Sequence, residues 1–216
     1  MAAAVRDRRT LKVLADVDDP PAIAEAVSAR HREAILEDLR TAGWAPFHYD
    51  RGADGLAEPW RAHVLQHDES RRLASDLFTL FPDLRPDAKL PAMMAACGAL
   101  VLVTWLPQFR RRAGEDGPAP NEKQIAVDDE HLAAASAMVQ NFLLLQTARG
   151  MGTYWSSGGQ LGSPAVFDRL GISSKERLLA AVFVEFPETQ RQPRDRLPGK
   201  LRERRSAGWI RERPAA

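Results

Sequence analysis

The segment from Asn141 to Gly159, NFLLLQTARGMGTYWSSGG, constrains the fold more than any other part of the chain. Its first half is apolar on all sides, which is typical of a helix at the centre of a molecule or in a subunit interface. Gly150 is expected to end that helix, because glycine is common just after a helix C-terminus. A short strand is predicted over Thr153 to Ser156. A rigid backbone edge beside small residues suits a large flat ligand that brings its own chemistry.

Length and composition favour one domain with an arm at each end. The 216 residues can bury a substantial core, and we predict a single domain over 1–216, with an N-terminal arm over 1–19 and a basic arm over 190–216. Lys and Arg number 30 against 29 Asp and Glu, so no overall field favours nucleic acid or an anionic membrane.

Cysteine use and hydropathy bear on the compartment. The single Cys97 excludes an internal disulfide, and the first residues lack the apolar core of a secretion signal. The longest apolar run, 99–106, is far shorter than the ~20 residues that span a bilayer. We therefore expect a cytoplasmic protein with no membrane segment.

Alternating helix and strand patterns predict an α+β or α/β fold with one sheet covered on both faces. The predicted helices cover 30–39, 68–81, 93–97, 128–149 and 164–170, and the predicted strands cover 61–66, 99–105, 153–156 and 178–186. Pro20 and Pro21 are expected to open the first helix. The strand 99–105 is apolar and β-branched, which indicates a buried central strand. Residues 107–124 are predicted to form a long loop of the mobile or functional kind.

Two cationic segments could bind a phosphate-bearing cofactor. They are Arg8, Arg9, Thr10 and Lys12 near the start, and Arg194 and Arg196 near the end. Guanidinium groups match the oxygens of a phosphate, and a hydroxyl can add a hydrogen bond. For each segment taken alone, a solvated charged surface is the open alternative.

Other chemical patterns are missing from the sequence. It contains no GxSxG elbow and no GxxxxGK[ST] loop, and Gly150-Met151-Gly152 follows a helix, whereas a dinucleotide-binding loop follows a strand. His63 and His67, predicted on or beside a strand, would not converge on a metal, so no metal site is predicted. Cys97 lies in an apolar stretch and is expected to be a buried thiol.

In chain order, several segments resemble the FMN-dependent nitroreductase superfamily over nearly the whole chain. The matching pieces are Arg8-Arg9-Thr10-Leu11-Lys12, the turn Ala45-Pro46 with His48, Glu58-Pro59-Trp60 before a strand, Gly150 to Trp155 followed by Ser156-Ser157-Gly158, and Phe186-Pro187 before a basic segment. The Ala-Pro-x-His turn is most similar to the small bacterial NAD(P)H nitroreductases. The chain departs from the family pattern in its lengthened Pro-to-Trp stretch, which lacks the usual Ser and Asn, and in Thr10, where the family has serine.

The resemblance implies a nitroreductase-like mixed β-sheet flanked by helices on both faces, in an intertwined homodimer with each flavin between subunits. It also implies the cofactor contacts. At the phosphate end, Arg8, Arg9 and Thr10 would hold the FMN phosphate and ribityl chain, and Arg194 or Arg196 would close on the phosphate. Lys12 would approach the pyrimidine edge. Trp44 and His48 would line the flavin from the turn, and Trp155, Ser156 and Ser157 would line it from the other side.

The implied activity is that of a ping-pong oxidoreductase, in which NAD(P)H reduces FMN and an organic acceptor such as a nitroaromatic or quinone is then reduced. The flavin does the chemistry, so no catalytic side chain is expected, and Lys12 is the candidate for stabilising negative charge on the reduced flavin. Residues 107–124 are a candidate lid. Two alternatives stay open: a specialised flavin enzyme of the same fold, reductive dehalogenase-like or flavin-consuming, and a nucleic-acid-binding protein using its arginine-rich tail.

Overall fold

The architecture is taken from a computed structural model, which describes residues 2–112, 114, 117–189, 197–198, 206 and 208–212. Its helices are α1 (Ala2–Asp7), α2 (Glu25–Ala42), α3 (His67–Leu80), α4 (Lys89–Ala96), α5 (Glu122–Ala148) and α6 (Pro164–Leu170). Its strands are β1 (Leu11–Lys12), β2 (Trp60–Gln66), β3 (Ala99–Trp105), β4 (Gly152–Ser156), β5 (Arg177–Glu185) and β6 (Leu197–Pro198). Short 3₁₀ turns lie at Gly159–Gly162 and Pro187–Thr189.

The main sheet has four strands in the order β2-β3-β5-β4, and every neighbouring pair is antiparallel. Strand β3 is buried at every position, as its apolar sequence predicts. Strand β1 pairs with β6 in a separate two-stranded sheet, and Thr10 forms a parallel bridge with Thr153 of β4. The predicted α+β fold is confirmed. A mixed sheet was expected, and among the described residues its parallel pairing is limited to the bridge between Thr10 and Thr153.

Each face of the sheet has its own core, because successive side chains of a strand point to opposite faces. On one side, called here the α5 face, Val101 and Val103 pack with α2 and α5. On the other, the α4 face, Leu100 and Leu102 pack with α3, α4 and α6. Full burial of such a side chain contributes about 1.5–3 kcal/mol.

The apolar second half of α5 lies at the centre of the molecule, the first of the two places that its sequence allows. Phe142 and Leu143 are fully buried on the α5 face of the sheet. Leu144 and Leu145 in the same half are only half-buried, so one chain leaves part of this apolar surface uncovered.

Helix α5 starts earlier than predicted. It begins at Glu122, where Asn121 and Gln124 form a reciprocal capping box, so the expected start at Asp128 is wrong. Asp128 is instead fully buried in the second turn. Negative charge is typical of a first helical turn, and Asp128 therefore predicts a start there. Its partners in the fold are instead backbone N–H groups at 108–110, far away in the sequence.

Two other helix starts differ from the predictions. Helix α2 begins at Glu25, so Pro20 and Pro21 lie in the extended segment before it. Helix α4 begins at Lys89, and Pro91 is accommodated in its first turn, where no intrahelical N–H bond is lost. The remaining predicted helices and strands begin and end within two residues of their predicted bounds.

Candidate functional site

The N-terminal arm lies along the edge of β4. The bridge between Thr10 and Thr153 fixes its register, and Nη1 of Arg8 donates to Oγ1 of Thr10 over 3.2 Å. Nζ of Lys12 lies 5.5 Å from the centre of the Tyr154 ring. The hydrogen bond from Arg8 places its guanidinium beside the Thr10 hydroxyl. Lys12 shares a face with Thr10, because side chains two residues apart in an extended segment do so. The arm therefore presents a guanidinium, a hydroxyl and an ammonium along one side.

The environment of Lys12 is unfavourable for its positive charge. Burial, and then the nearby ammonium of Lys89, lower the pKa of Lys12 below its ordinary value of 10.5. Helix α4 carries Lys89 close to the arm, because the Ala15 N–H donates to the Ala92 carbonyl over 3.0 Å. An anionic group placed beside these two lysines would be stabilised by both of them.

The side chains of β4 divide between the two faces of the sheet. Trp155 packs against the core of the α5 face, whereas Tyr154 packs against the core of the α4 face. Ser156 is half-buried and its Oγ accepts the Gly158 N–H over 3.1 Å, and Ser157 is exposed. The ring beside Lys12 is thus that of Tyr154, which the sequence analysis missed. Alternation along β4 indicates that Tyr154 and Trp155 face opposite sides, but not which of the two lies beside Lys12.

Trp44 and His48 lie elsewhere in the chain. Trp44 is 89% exposed in the turn after α2, and His48 is also exposed. Hydrogen bonds and ring contacts join the rest of this segment to other elements: Phe47 meets Trp60 edge-on, and Arg51 donates to the Leu106 and Pro107 carbonyls. Within the described part of one chain, no such contact joins this turn to the arm.

Of the remaining predicted contacts, Arg9 is exposed beside Arg8 and Thr10. Arg194 and Arg196 fall outside the described residues. Arg8, Thr10 and Lys12 are therefore the predicted contacts that the structure brings together, and β4 lies beside them.

The loop after β3, the candidate lid, is anchored at its start. The carboxylate of Asp128 accepts the backbone N–H groups of Gln108, Phe109 and Arg110, at 2.6 to 3.3 Å. Further along, the loop lines a cleft of about 590 Å³ whose described lining includes Arg51, Arg110, Arg111, Lys175 and Arg177. Any movement of this loop must therefore begin beyond Arg110, unless the Asp128 bonds break.

A buried carboxylate lies away from the arm, on the α4 face of the sheet. Glu176 is only 6% exposed, accepts a hydrogen bond from Oγ1 of Thr104, and lies 2.7 Å from Nε2 of His63. Burial raises the pKa of Glu176, but the bonds from His63 and Thr104 together lower it by more, and the net result is a lowered pKa. We assign this cluster a role in stability, because it links β2, β3 and the start of β5.

Cys97 is the buried thiol that the sequence predicts. Burial raises the pKa of Cys97 to about 11, so the thiolate is disfavoured. In the described part of the chain, no group of three His, Cys, Asp or Glu side chains is placed to hold a metal ion. Among those same residues, no helix combines the length and apolar character needed to cross a membrane.

Comparison with known proteins identifies the family. The model of the Nitroreductase family matches residues 24–184, and the chain belongs to this family. It is 26% identical over 199 residues to YfhC of Bacillus subtilis strain 168, which carries the name of an NAD(P)H nitroreductase, with 90% of this chain and 88% of YfhC aligned. The match to the family model begins at residue 24, after the arm, so the family assignment does not depend on Arg8, Thr10 or Lys12.

Solved structures share the fold. A nitroreductase-like family protein from Bacillus cereus superposes with a TM-score of 0.61 at 21% identity, covering 95% of this chain and 94% of its own. A Desulfovibrio desulfuricans protein described as a nitroreductase, crystallised in complex with FMN, gives a TM-score of 0.55 at 19% identity and covers 100% and 97% of the two chains. At these identities the likeness is one of fold.

Proposed function

We propose that this chain is a cytoplasmic FMN-dependent oxidoreductase, which takes hydride from NAD(P)H and reduces an organic acceptor such as a nitroaromatic or quinone in a ping-pong cycle. Membership of the Nitroreductase family supports the class of enzyme. The name of YfhC supports NAD(P)H as the reductant, and the FMN complex of the Desulfovibrio neighbour supports FMN.

The donors along the arm fit FMN. A phosphate needs guanidinium and hydroxyl donors, and Arg8 and Thr10 lie together, joined by their own hydrogen bond. The pyrimidine edge of a flavin needs a cation or hydrogen-bond donor near its N1–C2 carbonyl, and Lys12 lies on the same side of the arm. Along the arm, Arg8, Thr10 and Lys12 would then meet the phosphate, the ribityl chain and the ring in that order.

When bound, FMN would supply the hydride chemistry itself. The protein's residues would orient and stabilise it. Arg8, Arg9 and Thr10 would hold the phosphate and ribityl chain, and Lys12 would place positive charge where the reduced ring system gathers negative charge. Trp155, Ser156 and Ser157 would line the flavin from β4 and its following turn, and Arg194 or Arg196 would add to the phosphate site.

We further propose a homodimer in which a second copy completes the site. Trp44 is 89% exposed and Trp209 is 77% exposed, and large apolar side chains in such positions mark association surfaces. Because no hydrogen bond or ring contact joins Trp44 or His48 to the described part of the arm in their own chain, a second copy would be the source of the flavin contacts assigned to them.

The observation that carries this proposal is the parallel bridge between Thr10 and Thr153, which lays the row of donors against the Gly-x-Gly-x-x-Trp segment. The test is an absorbance spectrum of the purified protein before and after anaerobic NADPH. We expect absorption bands at about 370 and 450 nm, where any bound oxidised flavin absorbs, and we expect these bands to bleach on reduction.

Other outcomes would point elsewhere. A colourless protein that refuses added FMN would overturn the proposal. Bound flavin that neither NADPH nor NADH bleaches would favour the specialised flavin enzyme, and panels of nitroaromatics, quinones and halogenated aromatics would then separate the acceptor classes. DNA binding that weakens with salt would favour the nucleic-acid alternative.

A further inference from the structure

The face of the Tyr154 ring is the contact that receives the Lys12 ammonium. The nitrogen lies 5.5 Å from the ring centre, within the ~6 Å at which a cation is attracted to the negative face of an aromatic ring. In the described part of the chain, no carboxylate forms an ion pair with Lys12. Among the described residues, the Tyr154 ring is therefore the attractive partner of the Lys12 charge.

Tyr154 is itself held in place by the sheet. It lies directly opposite Phe183 in the register of β4 and β5, and the two ring centres are 6.0 Å apart with their planes inclined by 36°. Phe183 is buried in the core of the α4 face. The core of the protein thus fixes the ring plane that Lys12 contacts.

Lys12 would not stay in this position without such a contact. A lysine side chain is long and flexible, and its ammonium is strongly hydrated. Partial burial and the charge of Lys89 both act against the charged form here, and both lower the pKa of Lys12. The alternative position for the Lys12 nitrogen is in solvent. The Tyr154 ring offsets part of the free energy that the ammonium loses when it leaves water.

We propose that Tyr154 is a positioning residue: its ring face holds the Lys12 ammonium against β4, on the side of the arm shared with Arg8 and Thr10. The effect of this contact on a bound flavin rests on the function proposed above, whereas the contact itself does not. Tyr154 would act only through Lys12, and the hydroxyl group of Tyr154 would take no part.

The contact can be tested without cofactor. In the flavin-free protein, the ring current of Tyr154 should shift the side-chain proton resonances of Lys12 upfield. Tyr154→Phe should keep that shift, because the ring face remains, and Tyr154→Leu should remove it. Lys12 resonances at random-coil positions in the unsubstituted protein would overturn the proposal. This measurement uses no variant, so it does not depend on whether the substituted proteins fold.

The consequence is tested with FMN bound. Tyr154→Leu should raise the Kd for FMN about two- to fivefold and lower the reduction potential of the bound flavin, and Tyr154→Phe should do neither. In the Lys12→Ala background, Tyr154→Leu should add nothing, since the two residues act as one unit. Additive effects of the two substitutions would overturn the proposal. A shifted Lys12 resonance in a protein that refuses FMN would support the contact and overturn the proposed function, so the two failures are distinguishable.

Discussion

At the scale of single residues, Glu176 shows how a buried carboxylate depends on its partners. Its pKa in the folded protein lies below the ordinary value of 4.5, so the folded state binds its proton less tightly than the unfolded chain does. The stability contributed by the ionised form is present above about pH 4.5 and is lost as the pH falls through the folded pKa.

We expect Glu176→Gln to lower the free energy of unfolding at pH 7 by about 1–3 kcal/mol, because a hydrogen-bonded buried charge is lost. The variant should also lose less stability than the unsubstituted protein between pH 5 and pH 3. Urea unfolding at several pH values measures both effects. Glu33→Gln, an exposed change on α2, is the matched control and should leave the curves unchanged. A pH profile identical to that of the unsubstituted protein would contradict the role given to Glu176.

Lys12 carries the second prediction at this scale. In the proposed site, Lys12→Ala should make bound FMN harder to reduce, because it would remove positive charge from the place where the reduced ring gathers negative charge. The reduction potential, measured by anaerobic titration, should fall. Lys175→Ala removes an exposed lysine of the basic cleft and serves as the control. An unchanged potential in Lys12→Ala would remove this residue from the electrostatic role.

At the scale of elements, Asp128 ties the loop after β3 to helix α5. Its buried carboxylate accepts three consecutive backbone N–H groups, and an asparagine cannot accept all of them, because one of its oxygens becomes an NH₂ group. We expect Asp128→Asn to lower the free energy of local opening of the loop by about 1 kcal/mol or more. Tryptic cleavage after Arg110, Arg111 and Arg112 should then be roughly fivefold faster or more.

The adjacent Asp129 offers a matched control for this prediction. It is exposed and pairs with the Arg110 side chain, so Asp129→Asn removes the same charge without touching the backbone bonds. Equal cleavage rates in the two variants would show that Asp128 does not anchor the loop.

The elements also show what the sequence could predict. Strand β3 was predictable because a short, β-branched, wholly apolar run has few other places in a fold. The start of α5 was not, because Asp128 is bound by residues about 20 positions earlier, and only the folded chain brings them together. The same reason applies to the site: Arg8, Thr10 and Lys12 could be proposed from their types, but the ring beside Lys12 depends on the register of the arm on β4.

At the scale of the whole molecule, the exposed tryptophans predict self-association. The protein should elute as a dimer in size-exclusion chromatography with light scattering. Trp44→Ser should weaken the dimer by about fivefold or more in Kd, since a buried interface tryptophan commonly contributes more than about 1 kcal/mol. Trp44→Tyr keeps an aromatic side chain and should remain dimeric. A monomer at all concentrations in the unsubstituted protein would contradict the shared site.

The strand pairing of the arm has a consequence for how the protein is made. Residues 8–12 are synthesised well before their neighbours Thr153 and Leu197–Pro198. Because chains begin to fold as they emerge, the arm cannot take its place beside β4 and β6 until those neighbours have been translated. The phosphate-binding end proposed for the site would therefore be assembled late, and cofactor loading would follow the translation of these residues.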